Sequence, residues 1–256
     1  MTEQTLSFID PQGHRVASVL STPDGGTDRI AVLCHGFLSG KHSTTNKTLT
    51  RLLETQRIAT FAFDFFGQGD SEGPFESLTT TQAVGQAMAA LDLVRQKGFT
   101  RVGLMGSSFG GLVAILAAAQ RNDLACLALK CPVVDFGEEL RLTFGDHELA
   151  QWKATDTIPN IMGGTDRIRL RYDFYDDCLR HIAYEPARSI TAPTLIVQGD
   201  QDECVPLHQS RQLYEALRVP KRLEMLPGAD HQFTKAVDFR RMTTLLADWL
   251  SSHLAS

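Results

Sequence analysis

A serine stands between glycines in the run Gly106-Ser107-Ser108-Phe109-Gly110-Gly111, which fits the pattern G-x-S-x-G. The run directly follows the apolar residues 102–105 and precedes a stretch of small residues, so it is predicted to form a sharp strand-to-helix turn. Such a turn strains the backbone of its central residue and leaves no room for side chains at the flanking glycines. We therefore expect the Ser108 hydroxyl to be presented as a nucleophile beside a helix N-terminus.

A base must activate this serine, because a hydroxyl is a weak nucleophile at neutral pH, and a third group must orient the base. In proteins with this nucleophile turn, the acid and then the histidine follow later strands of the sheet. His231 is the best-placed base, since it follows the predicted strand 221–226 through the turn at 227–230. Other histidines precede the nucleophile or fall on predicted turns, helices or an insertion: His14, His42, His147, His181, His208 and His253.

Three carboxylates compete to orient the base, because Asp200, Asp202 and Glu203 all follow the predicted strand 194–198. The acid has to be buried enough to fix the tautomer of the imidazole ring and to stabilise the imidazolium that forms. Spacing alone does not choose between Asp200 and Asp202. Asp135, which follows the preceding predicted strand, is a further candidate.

The run His35-Gly36-Phe37 follows the predicted strand that ends at Cys34. A loop in this position supplies one backbone amide to the oxyanion hole in proteins with the nucleophile turn, and the residue after the nucleophile supplies the second. The amides of Phe37 and Phe109 are therefore the predicted oxyanion donors. His35, beside them, is a candidate substrate contact.

Alternating strands and helices are predicted to position these residues. Residues 5–10 and 15–20 are β-prone and predict an antiparallel hairpin at one edge of a sheet. Nearly unbroken apolar runs predict central parallel strands at 30–34, 59–63, 102–105, 126–129 and 194–197. Helical patterns occupy 45–56, 79–97, 110–120, 207–217 and 239–250. These repeated strand–helix–strand units predict an α/β fold.

The segment 133–188, called the cap below, interrupts this alternation with charged and aromatic residues and a turn signal at Met162 to Thr165. An insertion of this size between two strands is expected to lie at an edge or over an end of the sheet. Its aromatic side chains are candidates to line an acyl or aryl pocket, although packing inside the cap fits them equally well: Trp152, Tyr172 and Phe174.

The whole chain has 256 residues, a hydrophobic fraction of 43% and a formal net charge of -5. These values favour one domain over residues 1–256, and the lack of a basic stripe argues against a nucleic-acid partner. The chain starts without a charged and apolar leader, and no run is long enough to span a membrane, so a cytoplasmic protein with no membrane partner is expected. Five cysteines, an odd number without metal-finger spacing, indicate reduced thiols.

Together these runs resemble bacterial α/β-hydrolases of the cinnamoyl (feruloyl) esterase type and, more distantly, serine aminopeptidase-like and monoacylglycerol-lipase-like hydrolases. The similarity covers nearly the whole chain and is carried by residues 35–37, 63–73, 106–111, 199–202 and 228–231. It implies the α/β-hydrolase fold, with a mostly parallel central sheet, helices on both faces and a small cap.

In this family the second aspartate of the Gly-Asp-x-Asp loop is the triad acid, which implies Asp202. The family's insertion often bears a hairpin, covers the catalytic serine and shapes the acyl pocket, and the same is implied for the cap. Two positions depart from the family pattern. The family usually has His where this chain has Gln68, and usually His or another residue where this chain has Ser107. The cap, which sets specificity, is only weakly similar to the caps of this family, so the resemblance does not imply a hydroxycinnamate substrate.

The expected reaction is hydrolysis of a small carboxylic ester through an acyl-enzyme, with no metal and no organic cofactor. The oligomeric state, monomer or homodimer, is left open. Two other functions stay open: cleavage of amides or thioesters by the same residues, and a small-molecule receptor with little turnover.

Overall fold

The computed structural model describes residues 1–161 and 165–255. The strands are β1 Thr2–Ile9, β2 Arg15–Thr22, β3 Arg29–Cys34, β4 Ala59–Phe63, β5 Arg101–Ser107, β6 Cys126–Lys130, β7 Thr157–Ile158, β8 Ile168–Arg169, β9 Thr194–Gly199 and β10 Lys221–Leu226. The α-helices are α1 Thr44–Thr55, α2 Thr80–Gln96, α3 Phe109–Ala118, α4 Phe136–Thr155, α5 Asp173–Cys178, α6 Tyr184–Ala187, α7 Leu207–Ala216 and α8 Ala236–Ala255.

Eight strands form one sheet in the order β1-β2-β4-β3-β5-β6-β9-β10. The β1–β2 and β2–β4 pairs are antiparallel, and every pair from β4 to β10 is parallel. This confirms the predicted hairpin at one edge and the predicted parallel centre. The carboxyl ends of the parallel strands lie at one edge, so the loops after β3, β5, β9 and β10 meet there.

Helices cover both faces of the sheet, as predicted. Alternate residues of β3 belong to different cores, because successive strand side chains point to opposite faces. Ile30 and Val32 pack in the core that includes residues of α2 and α3, whereas Ala31 and Leu33 pack with residues of α1 and α8. The full burial of β3 on both sides explains why its sequence is an unbroken apolar run.

The cap joins β6 to β9. It consists of α4, which is interrupted at Gly145 by a left-handed backbone (φ 69°), the antiparallel pair β7–β8, and the short helices α5 and α6. The hairpin implied by the family resemblance is therefore present. The predicted turn at Met162 to Thr165 falls largely on residues 162–164, which lie outside the described residues.

All five cysteines are free thiols, as predicted, and only Cys204 is exposed. Within the described ranges, no helix combines the length and the apolar character needed to cross a membrane.

Candidate active site

Ser108 occupies the predicted strand-to-helix turn between β5 and α3, in a left-handed backbone (φ 54°, ψ −117°) that a non-glycine residue rarely adopts. The flanking glycines allow this turn because neighbouring backbone is close. A Cβ at Gly106 would lie 2.3 Å from the Gly110 carbonyl oxygen, and a Cβ at Gly110 would lie 2.3 Å from the His35 carbonyl oxygen. The pattern G-x-S-x-G is thus a packing requirement of this turn.

Gly110→Ala is expected to lower the free energy of unfolding by about 2–3 kcal/mol or more, since the new methyl group would collide with backbone that no rotamer change can move. The matched control is Gly85→Ala in α2, where a Cβ would meet Pro11 at an ordinary 3.4 Å. Urea unfolding curves of both variants measure the difference. Equal midpoints for the two variants would contradict the steric explanation.

The His231 ring lies between Ser108 and Asp202. Its Nε2 is 3.2 Å from the Ser108 Oγ, and its Nδ1 is 2.9 Å and 3.0 Å from the two carboxylate oxygens of Asp202. A carboxylate only accepts hydrogen bonds, so Nδ1 carries the proton and Nε2 has a free lone pair toward the serine. The His231 and Asp202 side chains are 5% and 0% exposed, so water competes little for these bonds.

Each of the three candidate acids has a different partner. Asp202 accepts from the His231 ring, Asp200 accepts from the Gly228 amide at 2.7 Å, and Glu203 accepts from the His231 amide at 3.0 Å. Asp135 caps α4 by accepting from the Glu138 amide. The geometry thus brings Asp202, and not Asp200 or Asp135, to the imidazole.

Asp202 is held as a carboxylate. Burial alone would raise its pKa, but the hydrogen bond and charge of His231 and the Val205 amide outweigh burial, so its pKa lies below the usual value. The amides of Cys204 and Val205 donate to Oδ1 at 3.0 Å and 2.9 Å, and the Gln198 side chain donates to Oδ2 at 3.1 Å. These donors fix the carboxylate in the orientation that the imidazole requires.

Lys130, the last residue of β6, connects the serine and histidine segments and was not singled out from the sequence. Its carbonyl accepts from the Ser108 amide at 2.9 Å, and its Nζ donates to the His231 carbonyl at 2.9 Å. The residue is 4% exposed. The only sequence signal was a lysine ending an otherwise apolar strand, where a buried ammonium must find an acceptor.

With His231 as the base predicted from the sequence, Lys130→Met is expected to lower kcat by about tenfold with little change in KM. The buried His231 carbonyl loses its ammonium donor, so the imidazole becomes less firmly positioned. The control is Lys97→Met, at the exposed C-terminal end of α2. Steady-state kinetics of both variants test this. A loss confined to KM would argue against a positioning effect on His231.

The loop after β3 lies against the serine. A Cβ added at Gly36 would be 3.5 Å from the Ser108 Cβ, so the chain at Gly36 and Phe37 runs beside the hydroxyl. The centroid of the Phe37 ring lies 5.4 Å from that of Phe75 and 6.0 Å from that of Phe109, and this packing fixes the loop. Phe109 is the first residue of α3, so its amide is among the N-terminal donors that have no partner within the helix.

His35 does not reach the cavity, which corrects the expectation of a substrate contact. Its Nδ1 donates to the Gly36 carbonyl at 2.7 Å, and its Nε2 accepts from the Phe65 amide at 3.0 Å. Burial lowers the pKa of the ring to about 4, so it stays neutral and can both donate and accept. His35 therefore ties the loop after β3 to the loop after β4.

A cavity of about 770 Å³ opens beside Ser108 and His231. Gly36 and Phe37 line it from the sheet edge. The cap contributes one face of α4, whose lining residues recur at helical spacing: Phe136, Glu139, Leu140, Thr143 and Phe144. The cap therefore forms part of the wall of the same cavity as the serine.

The three cap aromatics named from the sequence are not among the described residues that line this cavity. Trp152 and Phe174 are 0% exposed, and the Trp152 Nε1 donates to the Leu170 carbonyl at 2.6 Å. The ring centroid of Tyr172 lies 5.5 Å from that of Trp152. Trp152 and Phe174 therefore lie in the interior of the cap, and the half-buried Tyr172 packs against it, in line with the packing role that the sequence left open.

Comparisons with known proteins agree with this architecture. A family model described as "Alpha/beta hydrolase family" matches residues 31–241. An Escherichia coli protein described as an uncharacterized 31.7 kDa protein in the traX-finO intergenic region is 23% identical, over 93% of this chain and 96% of that protein. The Homo sapiens protein named serine hydrolase BPHL is 24% identical, over 81% of this chain and 74% of that protein.

Among solved structures, Est1E from Butyrivibrio proteoclasticus with ferulic acid bound superposes with a TM-score of 0.84 at 24% identity, covering 98% of this chain and 100% of that one. At this identity the likeness establishes the fold. The matched segment 31–241 contains Ser108, Asp202 and His231. This chain belongs to the alpha/beta hydrolase family.

Proposed function

We propose that the protein hydrolyses carboxylic esters and that Ser108, His231 and Asp202 are its catalytic triad. The observation that carries the proposal is the continuous hydrogen-bonded chain from the Ser108 Oγ through both ring nitrogens of His231 to the Asp202 carboxylate. A hydroxyl, an imidazole with its lone pair toward that hydroxyl, and a buried carboxylate are the groups that acyl transfer requires.

In the acylation step, the Ser108 Oγ attacks the ester carbonyl carbon while His231 Nε2 takes the hydroxyl proton. The carbonyl oxygen becomes an oxyanion, which accepts from the amides of Phe37 and Phe109. These donors are fixed before the reaction, and a single donor of this kind contributes about 3 kcal/mol in other enzymes. The imidazolium then gives its proton to the departing alkoxide, which leaves as the alcohol.

Deacylation repeats the chemistry with water in place of the serine. His231 takes a proton from the water, the resulting hydroxide attacks the acyl carbon, and the second oxyanion collapses to release the carboxylic acid. The proton on His231 returns to the Ser108 Oγ. Asp202 keeps its negative charge throughout and stabilises the imidazolium that forms twice in the cycle.

The choice of an ester is supported by the apolar face of α4 in the cavity, where Phe136, Leu140 and Phe144 can pack against an acyl or aryl group. Two similar proteins support a serine hydrolase that forms a carboxylic acid product, which esters, thioesters and amides all give. One is named a serine hydrolase, and the other holds ferulic acid, itself a carboxylic acid.

A panel of aryl, alkyl and glycerol esters, thioesters and aminoacyl amides tests the proposal. We expect the highest kcat/KM on an oxygen ester. A clear preference for thioesters or amides would leave the triad in place but change the reaction. No turnover of any substrate, together with no labelling by a fluorophosphonate, would instead favour a receptor that binds without reacting.

A further inference from the structure

The cavity face of α4 carries one carboxylate among three apolar side chains and one threonine. Glu139 lies between Phe136 and Leu140 in the lining and is only 9% exposed. Its neighbour in sequence, Glu138, faces away from this wall and is paired with His208 at 2.9 Å. An acidic side chain buried in a largely apolar wall is costly unless another group compensates it.

Only one of the two carboxylate oxygens of Glu139 has a hydrogen-bond partner among the described residues. One oxygen, Oε1, accepts from the Thr143 hydroxyl at 3.2 Å. The other, Oε2, is buried and has no hydrogen-bond partner among the described residues. Native proteins pair most buried polar atoms, so an orphaned carboxylate oxygen in the wall of a cavity indicates a partner that arrives with the ligand.

A cation is the partner that would complement this carboxylate. Burial raises the pKa of Glu139 to about 7, and the nearby charge of Asp202 adds to this rise, so the carboxylate form is present at neutral pH but lacks stabilisation. The one lysine in the described part of the lining, Lys130, already directs its ammonium to the His231 carbonyl. Buried charges in proteins are paired with opposite charges, and the lining residues that the structure describes offer none to Glu139.

We infer that Glu139 is a subsite for an ammonium group carried by the substrate, which makes amine-bearing esters the preferred class. The inference rests on the proposed esterase function for its catalytic consequence. Oε2 has almost no accessible surface in the observed conformation, so the Glu139 carboxylate must turn toward the cavity to meet an ammonium. It would then form a charge-assisted hydrogen bond and be neutralised, while the hydrocarbon part of the substrate packs on Phe136 and Leu140.

Three ethyl esters of equal chain length test the subsite: ω-aminohexanoate, ω-hydroxyhexanoate and heptanoate. We expect the wild-type protein to have a kcat/KM for the ammonium ester that is about tenfold or more above that for heptanoate. Glu139→Gln should abolish this ratio, because the amide keeps the shape and loses the charge. The control Glu138→Gln should keep it.

A preference for the hydroxyl ester, a ratio near one in the wild-type protein, or a ratio that survives Glu139→Gln would each overturn the subsite. Calorimetric binding of hexylammonium to the wild-type protein and to Glu139→Gln separates this inference from the esterase proposal, since it needs no turnover. Binding weakened about tenfold in the variant supports the subsite even if every ester is inert. Equal or absent binding in both overturns it.

Discussion

Ser108→Ala is expected to lower kcat for ester hydrolysis on the order of 10⁵-fold or more while the protein stays folded. The substitution removes the only atom that the proposed mechanism joins covalently to the substrate. His231 and the backbone amides remain, so the residual rate would come from binding and oxyanion stabilisation alone. The measurement is kcat on the best ester of the panel, with thermal unfolding to verify the fold.

The adjacent serine supplies a matched control for this prediction. Ser107 ends β5, whereas the Ser108 hydroxyl contacts the imidazole. A fluorophosphonate should label the wild-type protein and Ser107→Ala at residue 108, as peptide mass spectrometry would reveal, and should not label Ser108→Ala. A label at residue 107, or activity that survives in Ser108→Ala, would remove Ser108 from the role of nucleophile.

His231→Ala should cause a loss of similar size, since the serine and its base act as one unit. The double variant Ser108→Ala/His231→Ala should therefore be little slower than either single variant. Losses that multiply in the double variant would show that the two side chains act independently, which the 3.2 Å contact between them does not predict.

The features that could be predicted from the sequence are those whose packing requirements leave a local sequence pattern. The buried run at β3 and the glycines around Ser108 reflect packing against immediate neighbours, and each leaves a readable pattern. The position of His231 beside Ser108 follows the order of the elements, which predicts the base on a loop after a late strand. The helices predicted outside the cap begin and end within a few residues of the observed ones, because their apolar residues recur at helical spacing.

Other features depend on contacts between distant segments, which spacing does not encode. Lys130 and His231 are 101 residues apart, and the lysine was not recognised before their hydrogen bond was seen. Composition does not distinguish cap aromatics that line the cavity from those that pack inside the cap. In the structure Phe136 and Phe144 line the cavity, whereas Trp152, beyond the break of α4 at Gly145, is buried inside the cap. In the sequence, Glu139 is likewise one of many charged residues of the cap, and nothing there predicts that it is buried in the cavity wall.

Asp202→Asn is expected to lower kcat on the order of 10⁴-fold, far more than Asp200→Asn. The amides of Cys204 and Val205 donate to one oxygen of Asp202, so the oxygen of an asparagine side chain would take that position. Its amino group would then replace Oδ2, which lies 3.0 Å from His231 Nδ1 and accepts from the Gln198 side chain. Two donors would face this amino group, and the neutral amide could no longer stabilise the imidazolium. The proton of the ring is then less firmly held on Nδ1, and the tautomer with its proton on Nε2 cannot take the proton of Ser108.

Asp200→Asn is the matched control, because it makes the same chemical change two residues away on the same loop. The asparagine side chain introduced there keeps an oxygen that can accept from the Gly228 amide, as Asp200 does at 2.7 Å, and this bond lies away from the ring. We expect kcat of this variant to change by a few-fold at most, since no proton on His231 depends on the bond. If Asp200→Asn were instead the more damaging change, a carboxylate other than Asp202 would orient the imidazole in the working enzyme.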